Sequence, residues 1–186
     1  IPGPTIELIE GDSVEIDFWN VSQGMPHTIH LHGLDVNQDN DGVPALSFEV
    51  YHMEHGLYKF KAPHAGTYIY HCHVTSTIHV QAGMYGAIIV RPPNGSEYQT
   101  WAGGETYDRD FLWTASEIDL IWHTPAIMDH VHDTLNPQPM YIPSTYTPQY
   151  FFVSGNSGTQ LTDPNNFYTA AENDKVYMRL VNIGYY

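Results

Sequence analysis

Thiols are almost absent from this chain of 186 residues, which holds one cysteine, Cys72. A lone cysteine closes no internal disulfide, so Cys72 is either an inert buried group or a functional one. Basic residues are scarce as well. Six lysines and arginines stand against 21 aspartates and glutamates, a formal net charge of −15. Such a surface repels nucleic acid and anionic membranes, and neither is expected as a partner. No apolar run approaches the roughly 20 residues that a membrane-spanning helix needs. Heptads, low-complexity runs and short-period repeats are also missing. What is there in excess is histidine, 12 in all. One thiol amid many imidazoles suggests a metal site before any motif is read. Apolar residues make up 42% of the chain, enough for a packed core and against disorder.

The pattern along the chain is all-β. Thr5-Ile-Glu-Leu-Ile-Glu and Ser13-Val-Glu-Ile-Asp-Phe-Trp-Asn alternate apolar and polar residues, as half-buried strands do, with a turn at Gly11-Asp12. Leu57-Tyr-Lys-Phe-Lys-Ala repeats the alternation, Thr67-Tyr-Ile-Tyr-His-Cys-His is β-branched and aromatic, and Gly86-Ala-Ile-Ile-Val-Arg ends at two prolines. Short strands with regular turns predict a β-sandwich over residues 1–93. Residues 94–110 read as a linker. A second set of strands over 111–186 opens with Phe111 to Trp122, crosses a Pro- and Tyr-rich loop from about His123 to Gln149, and resumes at Tyr150-Phe-Phe-Val-Ser and Lys175 to Asn182. That segment supplies fewer strands than a sandwich of about 100 residues uses, so the expectation is a second sandwich cut short. Ile1-Pro-Gly-Pro reads as the middle of something, its leader removed or its start elsewhere. Asn20-Val-Ser and Asn94-Gly-Ser fit the glycosylation acceptor pattern, which recurs often by chance.

Two segments concentrate the chemistry: His27-Thr-Ile-His30-Leu-His32-Gly33, and His71-Cys72-His73 with His79 and Met84 after it. Side chains alternate faces along a strand. His71 and His73 therefore point one way and Cys72 the other. His30 and His32 share a face, with His27 on the opposite parity. Two sites back to back result. His27, Cys72, His79 and Met84 form one: two imidazoles, a thiolate and a weak axial thioether, the donor set of a blue copper centre. His30, His32, His71 and His73 form the other, four imidazoles with no carboxylate. Imidazole suits copper, zinc, iron or nickel, and the neighbouring thiolate site makes copper the economical choice.

These segments resemble the multicopper oxidases, a family that includes laccases and ascorbate oxidase. Asp41-Gly-Val-Pro and Ala65-Gly-Thr-Tyr-Ile-Tyr-His resemble it too, and the likeness is close over residues 1–92 and loose over 110–186. The resemblance implies tandem cupredoxin-like Greek-key sandwiches, the second truncated. It also implies type 1 copper at His27, Cys72, His79 and Met84, with His30 at type 2 copper and His32, His71 and His73 at type 3 copper. The complete unit would hold about four coppers. The long spacing from Cys72 to His79 is similar to that of two-domain oxidases with blue copper in the first domain. In those relatives the cluster forms between subunits, commonly in a trimer, so a homo-oligomer is implied. The implied reaction is oxidation of a small-molecule or metal-ion donor coupled to reduction of dioxygen to water, in an extracellular or periplasmic setting.

Copper nitrite reductase is the runner-up. That family has an aspartate where His30 stands and no histidine after the cysteine. A non-catalytic blue copper carrier is the third reading, and leaves the four cluster imidazoles unexplained. Asp41 has two compatible readings: a turn residue before Gly42, or, as the resemblance implies, a carboxylate that helps deliver protons to the cluster. The remaining histidines read as ordinary: His52 and His55 in a turn around Glu54, His64 solvated, and His130 and His132 in a surface loop.

Overall fold

A computed structural model of the chain describes residues 2–96, 98–127 and 142–186. His130 and His132, and most of the predicted Pro- and Tyr-rich loop, lie outside these described residues. The first half holds β1 (Ile6–Ile9), β2 (Ser13–Trp19), β3 (His30–His32), β4 (His55–Lys61), β5 (Gly66–His71), the helix α1 (Ser76–Gln81) and β6 (Tyr85–Arg91). One sheet has the order β1-β6-β5-β3, and β2 pairs with β4 in a second. The alternation in Ser13–Trp19 does what it predicts. Val14, Ile16 and Phe18 turn inward while Glu15, Asp17 and Trp19 face solvent. Leu31, Leu34, Ala62, Ile88 and Val90 form the core between the sheets, with Val14, Ile16 and Phe60 packed on it.

The second half contributes β7 (Arg109–Ile118), β8 (Tyr150–Val153) and β9 (Val176–Asn182), in the order β8-β7-β9. Strand β7 stops short of the predicted end. Asp119 caps a 3-10 turn over Leu120–His123 by accepting a hydrogen bond from the Ile121 amide at 2.9 Å. The Asp carboxylate competes for backbone donors and so breaks the strand. The two halves are joined by a charge network. Buried Arg179 of β9 donates to Asp110 of β7 at 2.9 Å and to Thr67 of β5 at 2.9 Å. Arg91 of β6 donates to the same Asp110 at 3.0 Å and to Glu7 of β1 at 2.9 Å. Strand β6 is buried along almost its whole length, in keeping with its unbroken apolar sequence. No helix among the described residues is long and apolar enough to cross a membrane.

Candidate metal centre

The antiparallel pairing of β3 with β5 sets His30 directly opposite His71, and His32 opposite Ile69. Cross-strand partners share a face of the sheet, which brings the imidazoles together. The ring of His30 lies 5.3 Å from His32, 5.1 Å from His71 and 5.1 Å from His73. Donor atoms of His30, His32 and His71 all lie within 4.8 Å of one another. His73 flanks that trio rather than sharing its convergence point; its amide donates to Thr28 Oγ1 at 3.0 Å. His71 is buried, His30 and His73 are half-buried and His32 is exposed, so the group opens onto the surface.

Backbone carbonyls aim these rings. His30 Nδ1 lies 2.7 Å from the Asp41 carbonyl oxygen, and His71 Nδ1 lies 3.0 Å from that of Cys72. A carbonyl only accepts, so both Nδ1 atoms donate, which leaves Nε2 as the atom each ring can offer to a metal. Nε2 of His71 faces Nδ1 of His32 at 3.2 Å. Burial pushes the His71 imidazole below its usual range, and so do the neighbouring histidines, against the hydrogen bond to the Cys72 carbonyl. Burial, then His30 and His73, lowers His32 in the same way. Neutral rings with converging lone pairs suit metal ligation.

Asp41 stands beside this group. Its carboxylate Oδ2 is 3.4 Å from His30 Nδ1. Its turn also depends on Gly42, whose φ is +78° and where a Cβ would lie 2.0 Å from the Ile29 carbonyl oxygen and 2.7 Å from His30 Cα. Only glycine lets the Asp41 carbonyl reach the His30 ring. The Asp-Gly pair signals a turn in the sequence, but not the strand it closes on.

On the other face of the same strand end sits the thiol. Cys72 Sγ is 3.6 Å from His27 Nδ1 and 3.2 Å from His79 Nδ1. All three residues are buried, with exposures of 4% for His27, 3% for Cys72 and 1% for His79. His27 sits in an isolated bridge with Val50 rather than in β3. Neither His79 nor Met84 is on a strand. His79 is on α1, and Met84 lies between α1 and β6. The Cys72 amide donates to the Met84 carbonyl at 3.0 Å, and the Met84 amide to the His79 carbonyl at 3.0 Å. Met84 lines, with His27 and Cys72, a cavity of about 310 Å³ bordered by Phe18, Trp19 and Tyr85. Burial pushes the Cys72 thiol up in the metal-free chain, so a cation is what would favour its thiolate. Two imidazoles and a sulfur, all three buried, fit a soft-to-borderline ion such as copper.

Among the described residues, His52, His55 and His64 stand apart. His52 is exposed, with Nδ1 2.7 Å from the Ser22 carbonyl oxygen. His55 begins β4 rather than lying in the expected turn. It pairs with Asp17 at 2.7 Å and stacks on Trp19 at 4.4 Å. His64 is exposed, 4.0 Å from Asp35. Asn20 is 2% exposed and its amide donates to the Val50 carbonyl at 2.9 Å, so that acceptor pattern is closed to modification in the folded chain. Asn94 is exposed in a turn.

A β-sandwich that seats a buried thiol between imidazoles at the end of one strand is a cupredoxin-like domain. The sequence profile of the multicopper oxidases matches residues 1–95, just over half the chain, and the chain belongs to that family. Among curated proteins it is 43% identical over 96 residues to a multicopper oxidase of Talaromyces pinophilus, covering 49% of this chain and 15% of that one. It is 32% identical over 123 residues to the copper-containing nitrite reductase of Alcaligenes xylosoxydans xylosoxydans, covering 64% and 35%. Among solved structures, the blue copper oxidase from Nitrosomonas europaea superposes with a TM-score of 0.73 at 30% identity, over 99% of this chain and 52% of that one. The chain thus spans about a third or less of these two curated relatives and about half of the solved one.

Proposed function

We propose that the chain is the part of a multicopper oxidase that holds a type 1 copper and half of a trinuclear copper cluster. His27, Cys72, His79 and Met84 would hold the type 1 ion. His30 would hold type 2 copper, and His32, His71 and His73 would hold type 3 copper. The boundaries that go with this reading are a first sandwich over 1–93, a linker over 94–110 and part of a second sandwich over 111–186. The observation that carries the proposal is the single strand end at which Cys72 faces one group of imidazoles while His71 and His73 face another.

Copper there would accept single electrons at the thiolate and reduce dioxygen at the imidazole cluster. The chain's own residues supply the rest. Cys72 is bonded through the backbone to His71 and His73, a short covalent route for electrons between the two groups. Each dioxygen takes four electrons and four protons to give two waters, and Asp41, 3.4 Å from His30, is placed to carry protons toward that face. The cavity beside Met84 and Trp19 provides an approach for a small-molecule or metal-ion donor. Four imidazoles are half of the cluster's ligands in this reading. The exposed His32 then marks the face where a neighbouring subunit, in a homotrimer, supplies the others. An extracellular or periplasmic site of action accompanies the proposal.

The nitrite reductase relatives favour a second reading, in which one copper would replace the cluster. His30 and His73 argue against it, because that family has an aspartate at the first position and lacks the second. Oxygen uptake and nitrite turnover, measured on one copper-loaded preparation of the assembled protein, separate the two. Oxygen reduction is expected to dominate; faster nitrite reduction would replace the oxidase reading with the reductase.

A further inference from the structure

The helix α1, which carries His79, is gripped from behind by the second half of the chain. Ile78 is fully buried against Trp122 and Ile127. The Tyr185 hydroxyl donates to the Thr77 carbonyl at 2.6 Å. Gln81, 4% exposed, ends the helix inside a directed polar chain. Its amide donates to the Tyr146 hydroxyl at 2.8 Å and to the Glu117 carbonyl at 3.2 Å. Tyr146 in turn donates to the Glu117 carboxylate at 3.0 Å. The carboxylate also accepts from the Tyr185 amide and is 5% exposed. Gly184 lets the chain cross this group, since a Cβ there would lie 1.8 Å from Glu117 Oε2. A buried carboxylate answered by a phenol and an amide is costly where apolar packing would hold a helix as well. What such a network adds is one fixed geometry.

We propose that Glu117, Tyr146 and Gln81 are positioning residues for His79. They set where α1 sits and therefore where the His79 imidazole meets Cys72 Sγ. The inference rests on the reading of His79 as a type 1 ligand, and it gives residues of the second half a direct hand in the tuning of that centre.

The test compares the copper-loaded wild-type chain with Tyr146→Phe, which removes only the hydroxyl, and with Glu117→Gln. Tyr68→Phe is the control, a hydroxyl on β5 that donates to the His64 carbonyl rather than to α1 or the residues that grip it. Thiolate-to-copper absorption, copper hyperfine splitting and reduction potential are recorded for each. Amide exchange of residues 77–82 is followed in the same chains before copper is added. Tyr146→Phe should alter the absorption and the hyperfine splitting and speed exchange in α1 about tenfold, while Tyr68→Phe changes neither. A blue wild type with an unaltered Tyr146→Phe spectrum and unaltered α1 exchange overturns the positioning role and leaves the type 1 reading intact. A wild type that binds copper without any blue absorption overturns the type 1 reading, and the positioning role falls with it. If Glu117→Gln fails to fold, the Tyr146→Phe comparison still decides.

Discussion

Cys72 and Asp41 are the two residues whose side chains separate the proposed chemistry most cleanly. Cys72 is the only thiol in the chain, and its buried sulfur lies 3.2 Å from His79 Nδ1. Cys72→Ser should keep the fold, because the hydroxyl is smaller and β5 is unaffected, yet abolish the intense blue absorption. Absorption spectra and circular dichroism of the purified variant check this; a surviving blue band would remove Cys72 from the site. Asp41 stands on the other face, beside His30. Asp41→Asn keeps the backbone carbonyl that orients His30 but loses the ionisable group. Oxygen reduction should slow by about 100-fold and become more pH-sensitive, with the blue absorption unchanged; steady turnover across the acid range would return Asp41 to a turn residue. Strand parity alone separated Cys72 from His71 and His73, and the geometry keeps that separation. What parity could not supply was the aim of the His30 ring, because it comes from the Asp41 carbonyl, 11 residues away and brought close only by folding.

At the scale of elements, alternation located β1, β2 and β4 to within a few residues, and β-branched, aromatic or apolar runs located β5, β6, β8 and β9. Residues 76–81 were not legible as a helix. They are too short for a helical period to show, and Thr75 enters them at φ 48° without a capping hydrogen bond. Packing of Ile78 against Trp122, from far along the chain, is what stabilises that turn of helix. The turn at Asp41-Gly42 carries a sharper expectation. Gly42→Ala puts a methyl into the Ile29 carbonyl at a positive φ, so it should cost well over 1 kcal/mol of stability. It should also displace the Asp41 carbonyl from His30. Thermal unfolding checks the first effect, and weaker retention of the cluster copper with an intact blue band checks the second. A fully stable variant with normal copper retention would show that the tight approach has no such role.

Across the whole molecule, composition argues against a nucleic-acid partner and leaves no internal disulfide, because charge and cysteine count need no folding to be read. The joining of the halves was not legible. Arg179, Asp110, Arg91 and Glu7 are scattered over the chain, and no local pattern marks them as one network. In the proposed division of labour, one chain would hold a whole blue site within residues 27–84 and the four imidazoles on one side of the cluster. Anaerobic copper titration of the monomeric chain, with blue absorption and subsequent oxygen uptake followed on one sample, tests this most directly. The account predicts blue absorption that saturates at about one copper per chain, with negligible oxygen uptake until chains assemble. Copper bound without blue absorption, or full oxygen reduction by the monomer, would contradict it.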